Sequence, residues 1–209
     1  MRLGRAIIPS GACINCSPSA KLPPATRTSW TCSTHAPEIL QARVERRHRH
    51  SSRMDAPTKL SANFALEELL VSDTARKHGI ANTPTPEHLA NIKRYLVPGL
   101  EAIRTLVGGK PVRSHSAYRN PAVNALVGGT PTSAHPLGFA DDITVEGLGA
   151  EALARIIAKA MTARLIRIDQ LILESGRGVV HVSFDPRARG MRGHQPRGAG
   201  TPINWRFFG

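Results

Sequence analysis

Long apolar runs are missing from this 209-residue sequence, and cysteine is scarce. No stretch approaches the roughly 18 consecutive apolar residues of a membrane-spanning helix, so we expect no such helix. The three cysteines, Cys13, Cys16 and Cys32, all lie in the first 35 residues. The rest of the chain therefore has neither a catalytic thiol nor a disulfide, and cysteine usage leaves the redox compartment open.

Acidic and aromatic residues are also few. The 15 Asp and Glu residues face 28 Lys and Arg, which gives a net charge of +13, and aromatic residues make up 4% of the chain. A basic surface favours polyanions such as nucleic acid, membrane headgroups or an anionic cell wall. However, more than half of the excess charge precedes Met54, and neither a nucleic-acid-binding motif nor a helical stripe of basic residues follows it. We therefore expect no specific nucleic-acid partner.

Residues 1–58 are rich in Ser, Thr, Pro and Arg and show no sustained apolar period. Such a segment cannot bury enough surface to fold alone, so we predict a disordered basic leader. We interpret it as an extension upstream of a start at Met54. Pro9 ends the first apolar segment before it reaches the length of a signal-peptide core, so no export signal is predicted and the localisation stays open. The alternative for this segment is a small zinc knuckle with the ligands Cys13, Cys16, Cys32 and His35.

Residues 59–185 have the periodicity of a folded domain. Short helices are predicted first, and then a long helix from Thr85 to Val107 that Pro98 kinks or splits. A later helix is predicted at 150–163, and strands are predicted at 111–116, 140–145, 169–174 and 179–184. This order favours an α+β domain in which N-terminal helices pack on a small, mainly antiparallel sheet. Residues 186–209 are predicted to form a basic flexible tail, with Trp205, Phe207 and Phe208 able to dock on the domain.

Three residues have the composition of a metal ligand set. His135 lies in a loop that leads into a predicted strand, Asp142 lies in that strand, and His181 lies in an apolar run further on. Two imidazoles and one carboxylate suit zinc with a fourth position left open for water, which is the arrangement of a hydrolytic site. Each residue alone has an ordinary explanation, such as a core histidine or a buried Asp–Arg pair. Together, on neighbouring strands, they predict a zinc site.

Three motifs, in the same order along the chain, resemble those of the zinc D-alanyl-D-alanine carboxypeptidase family. They are Ser116-Ala117-Tyr118-Arg119-Asn120-Pro121, Ser133-x-His135-x-x-Gly138-x-Ala140-x-Asp142 and Val180-His181-Val182-Ser183. This family includes peptidoglycan peptidases, D-Ala-D-Ala dipeptidases and phage endolysins, and it shares its fold with the hedgehog signalling domain. The resemblance implies Zn²⁺ as the cofactor, with His135, Asp142 and His181 as its ligands. It also implies that Arg119 is a cation that faces the substrate.

Two positions depart from the family pattern. Val179 stands where the family commonly has Trp, and Gly178 occupies a position that often carries the catalytic acid. The nearest acid upstream is Glu174, with Asp169 beyond it. We nominate Glu174 as the general base. The alternative is that Glu174 is a solvated acid at the end of its strand.

The remaining candidates are groups that bind the substrate: Arg119, Ser133 and Tyr118. A guanidinium suits a carboxylate or a developing oxyanion, so Arg119 is also a candidate catalytic residue. The sequence thus predicts a monomeric zinc metallopeptidase that acts at the cell wall on a peptide bond of peptidoglycan stem peptides. Both a D,D-carboxypeptidase and an endolysin-like endopeptidase fit this prediction. The alternative is a catalytically silent zinc-binding module of a cell wall or a phage structure.

Overall fold

The computed structural model describes residues 56–197 and 200–205. Residues 1–55 of the predicted leader, including the four knuckle residues, lie outside the described residues, so both interpretations of the leader stay predictions. In the part of the chain that the structure describes, no helix has both the length and the apolar character needed to cross a membrane.

Side-chain caps set where the early helices begin. Ser72 Oγ accepts a hydrogen bond of 3.2 Å from the Ala75 amide, and Thr85 Oγ1 accepts one of 3.2 Å from the His88 amide. A π-helical turn, Ile92–Leu96, interrupts the long helix just ahead of Pro98, where the sequence predicted a break. The N-terminal helices are α1 (Leu66–Leu70), α2 (Asp73–Lys77), α3 (Pro86–Asn91) and α4 (Val97–Leu106).

A five-stranded sheet forms the centre of the domain, with the strand order β1-β2-β4-β3-β5. Its strands are β1 (Val112–Ser116), β2 (Ala140–Val145), β3 (Gln170–Glu174), β4 (Val179–Ser183) and β5 (Met191–His194). Neighbouring strands are antiparallel except β3 and β5, which are parallel. Two more helices, α5 (Pro121–Leu126) and α6 (Ala150–Thr162), lie between strands along the chain. The predicted α+β class and the mainly antiparallel sheet are therefore confirmed.

One face of the sheet is apolar and covered by helices. α6 packs against β2, β3 and β4, while α4 packs against β1 and α6. A Cβ at Gly99 of α4 would overlap the Phe184 ring, so glycine allows close packing there. Each fully buried side chain of this core contributes about 1.5–3 kcal/mol to stability. Those contributed by the sheet include Ile143, Leu171, Val180 and Val182.

The opposite face of the sheet carries polar residues. The strand register places Asp142 of β2 beside His181 of β4, and His181 beside Ile172 of β3. Because side chains alternate along a strand, Glu174 lies on the same face as Ile172. Strand alternation thus separates the core from the residues predicted to perform chemistry.

The C-terminal segment contributes to the sheet. β5 falls in the predicted flexible tail, yet it pairs in parallel with β3. Arg189 lies just before β5, and its guanidinium donates to the buried Asp169 carboxylate at 2.6 and 2.8 Å. Beyond β5, the Trp205 ring lies against Gly193, while Phe207 and Phe208 lie outside the described residues. The folded domain therefore extends past residue 185, the boundary that the sequence predicted.

Candidate metal centre

A tight turn holds His135 in place ahead of β2. His135–Leu137 forms one 3-10 turn, and the Gly138 amide donates to the His135 carbonyl at 3.1 Å. Gly138 has a φ of +77°, and a Cβ at this position would lie 2.6 Å from the His88 carbonyl oxygen. Glycine meets both constraints because it has no Cβ, which explains its place in the motif.

His135, Asp142 and His181 bring three ligand atoms together in a triangle. His181 Nδ1 lies 3.0 Å from Asp142 Oδ1 and 3.1 Å from His135 Nε2, and the latter two atoms are 3.4 Å apart. Ligand atoms about 2.0–2.2 Å from a tetrahedral zinc ion are separated from one another by about 3.3 Å. All three side chains are buried. This triangle therefore fits the zinc site that the sequence predicted.

The protonation states of these residues also suit ligation. His135 Nδ1 donates to the Ala117 carbonyl at 2.7 Å, which leaves Nε2 without a proton and facing the other ligand atoms. Burial, partly offset by Asp142, lowers the pKa of His135 to about 4, so the ring is neutral at pH 7. Burial alone would raise the pKa of Asp142, but its interactions with His135 and His181 hold that pKa well below its usual range. The cluster therefore presents a neutral imidazole at His135 and an ionised carboxylate.

The adjacent acid, Asp141, lies in a different environment on the other face of β2. Ser114 Oγ donates to Asp141 Oδ1 at 2.9 Å. Within the described residues, Asp141 Oδ2 has no hydrogen-bond partner. Burial raises the pKa of Asp141 well above its usual range. Both acids are thus buried, but only Asp142 joins the two histidines.

Arg177, which the sequence did not single out, contacts the cluster directly. Its Nη1 donates to Asp142 Oδ2 at 2.9 Å and to Glu174 Oε2 at 2.8 Å. The predicted cation, Arg119, lies farther away, with Nη1 3.9 Å from Asp142 Oδ2. Arg177 was missed because it lies in the turn between β3 and β4, outside every motif. Its position three residues after Glu174 was the available signal.

The nominated base, Glu174, lies at the end of β3 and is only 6% exposed. It lines the same cleft as His135 and His181. Such burial does not fit the alternative of a solvated acid at the end of a strand. The more distant acid, Asp169, is paired with Arg189. Glu174 is therefore the β3 acid that lies near the metal centre.

A cleft of about 260 Å³ opens beside the ligand triangle. Ser133 and Arg119, both predicted to bind substrate, line this cleft. Tyr118 is placed in the core instead, since it is 1% exposed and its hydroxyl lies 3.2 Å from His88 Nδ1. The C-terminal segment supplies lining residues that the sequence did not reveal, because nothing local marks them as part of a site. They are Gln195, Ile203 and Trp205.

A search of curated proteins finds no match to this chain. The profile of the family described as Peptidase M15 matches residues 62–183, which is more than half of the chain. That span contains all three residues of the ligand triangle. M15 peptidases are zinc-dependent, and the buried triangle has the ligand types and spacing that zinc requires. By sequence match and by the chemistry of its metal centre, the chain belongs to the Peptidase M15 family of zinc peptidases.

Proposed function

We propose that this protein hydrolyses a peptide bond in the stem peptides of bacterial peptidoglycan and acts at the cell wall. The observation that carries the proposal is the triangle of His135, Asp142 and His181 beside a cleft that Glu174 also lines. Structural zinc sites are closed by four protein ligands, whereas three ligands beside a cleft leave a position for water or substrate. Membership of the M15 family also implies a peptide substrate.

Each residue around the ligand triangle has a separate role in the proposed hydrolysis. Zinc bound there supplies Lewis-acid activation of water and of the peptide carbonyl. Glu174 takes a proton from the attacking water and returns it to the leaving amine, a role that contributes about 10²–10⁴-fold to the rate. Its Oε2 accepts from Arg177, so we assign Oε1 as the proton acceptor. The Arg119 side chain, 13% exposed, stabilises the charge that develops on the carbonyl oxygen.

A second cleft, of about 360 Å³, shares Arg119, Val127 and Arg177 with the first. A carboxypeptidase needs a pocket that ends at the terminal carboxylate of its substrate, whereas an endopeptidase needs room on both sides of the scissile bond. The two clefts therefore favour an endopeptidase over a D,D-carboxypeptidase. The Arg119 guanidinium, which lines both clefts, suits a carboxylate of the stem peptides.

The test is digestion of isolated peptidoglycan by the zinc-loaded full-length protein, with the products identified by mass spectrometry. Wild-type protein is expected to generate new amino termini within the stem peptides. Glu174→Gln is expected to lower kcat by about 10²–10⁴-fold with unchanged zinc content. Glu151→Gln is the matched control, because Glu151 is an exposed acid paired with Arg155, and it should keep the wild-type rate.

The other outcomes of this digestion separate the remaining possibilities. Release of terminal D-alanine alone would identify a D,D-carboxypeptidase. Stoichiometric zinc without cleavage of any wall peptide would contradict the proposal and favour the catalytically silent zinc-binding module.

A further inference from the structure

Arg177 connects the two carboxylates on which the proposed reaction depends. Its Nη1 bonds to Asp142 Oδ2 and to Glu174 Oε2 at 2.9 and 2.8 Å. We infer that Arg177 is a positioning residue, which turns the ligand oxygen of Asp142 toward the metal and fixes Glu174 beside it. For Glu174 the inference rests on the proposed function. For Asp142 it rests on the ligand triangle alone.

The contacts of Asp142 divide between its two carboxylate oxygens. Oδ1 faces both histidines, at 3.0 Å from His181 Nδ1 and 3.4 Å from His135 Nε2. Oδ2 accepts from Arg177. A hydrogen bond to the outer oxygen of a ligating carboxylate holds the inner oxygen toward the metal, and loss of such a partner typically weakens metal binding by about 10–100-fold.

The turn that carries Arg177 is held in place by its neighbours. The Arg177 amide donates to the Glu174 carbonyl at 3.1 Å. Ser175 Oγ lies 2.8 Å from His194 Nε2 of β5. A Cβ at Gly176 would overlap the Pro196 carbonyl oxygen, so the segment after β5 packs directly on this turn. The Arg177 guanidinium therefore extends from a turn that its neighbours hold in place. The Arg177 side chain is 37% exposed.

Arg119 does not provide the same contact. At 3.9 Å from Asp142 Oδ2, its Nη1 lies beyond hydrogen-bonding distance. Without Arg177, Asp142 Oδ2 would lose its hydrogen bond although the side chain is only 1% exposed. A buried carboxylate oxygen without a hydrogen-bond donor is unfavourable, so the Asp142 side chain would rotate toward another donor. The same loss would free Glu174 Oε2, so the ligand and the base would both move.

The first test measures zinc affinity by competition with a chelator, on full-length wild type, Arg177→Ala, Arg177→Lys and Arg113→Ala. Arg113 is the matched control, an exposed arginine of β1 that faces Glu146 at 3.4 Å. Arg177→Ala is expected to bind zinc about 10–100-fold more weakly, and Arg113→Ala is expected to match wild type. Arg177→Lys should recover part of the loss, because a single nitrogen makes both contacts. Affinity in Arg177→Ala equal to that of the control would overturn the inference.

The second test is a double-mutant cycle on kcat with Arg177→Ala and Glu174→Gln. If Arg177 positions Glu174, its removal lowers kcat more than it raises KM, and this effect largely disappears in the Glu174→Gln background. Equal effects of Arg177→Ala in both backgrounds, measured at saturating zinc, would show that Arg177 does not act through Glu174, which overturns its role toward Glu174. The zinc measurement needs no catalysis. Weaker zinc binding in Arg177→Ala, in a protein that cleaves no wall peptide, would therefore contradict the proposed function and support the role toward Asp142.

Discussion

Gly138→Ala is expected to damage the metal centre without changing a ligand. Two penalties combine at this position. The φ of +77° imposes a left-handed conformation, which costs a non-glycine residue about 1–2 kcal/mol. A Cβ at 2.6 Å from the His88 carbonyl oxygen forces the backbone to shift, at a further cost of about 1–3 kcal/mol. Together they predict a loss of about 2–5 kcal/mol, or about 5–15 °C in Tm for a domain of this size.

Gly79→Ala is the matched control for the steric part of this effect. Gly79 also has a positive φ, +64°, but a Cβ there meets nothing within 4 Å. It should therefore lose only the backbone cost of about 1–2 kcal/mol. The assay is thermal unfolding of both variants in zinc-free buffer, followed by a zinc titration. Gly138→Ala should also bind zinc more weakly, because its turn fixes His135. Equal losses of Tm in the two variants would refute the reasoning.

Two further predictions concern the C-terminal segment. Burial alone would raise the pKa of Asp169, but the hydrogen bonds from Arg189 outweigh burial and lower that pKa. The pair therefore stabilises the fold fully above about pH 4, the pKa of an Asp in the unfolded chain. This stabilisation is lost as the pH falls through the lower pKa of the folded state. Arg189→Ala should lose about 2 kcal/mol in urea unfolding at pH 7, a figure reduced because Arg189 is 38% exposed, and progressively less as the pH falls below about 4. A pH-independent loss would contradict this. Trp205→Ala should raise KM about 2–10-fold with kcat retained, because Trp205 lines the cleft. Leu165→Ala is the control and should change neither constant, since Leu165 is 71% exposed and absent from the cleft lining. An unchanged KM in Trp205→Ala would exclude Trp205 from substrate binding.

Local patterns in the sequence predicted most of the fold. β2 was predicted at 140–145 and occupies Ala140–Val145, because alternation and its flanking residues mark it locally. The Thr85 cap was also predicted, since capping depends on residues within one turn. β5 was not predicted, because its four residues have no apolar alternation and become a strand by pairing with β3. α5 was missed as well, since its six residues are too few for a helical period.

The residues of the candidate site also differ in whether a local sequence pattern or only the fold reveals them. The motif residues predicted His135, Asp142 and His181 as one cluster, and the structure brings their ligand atoms together. Arg177 depends on how a turn folds over the sheet, so no periodic pattern reveals it. Tyr118 belongs to a motif but lies in the core, because the backbone turns its ring toward His88. A motif therefore identifies a segment of the site, and only the fold decides which of its side chains reach the cleft.

The most direct test of the central claim compares two adjacent acids. Zinc content and peptidoglycan cleavage are measured on full-length wild type, Asp142→Asn and Asp141→Asn. The zinc content of each variant is compared with that of wild type because the leader has cysteines of its own. The account predicts that Asp142→Asn loses about one zinc per chain together with cleavage, while Asp141→Asn, altered on the opposite face of β2, keeps both. Unchanged zinc in Asp142→Asn would contradict the account.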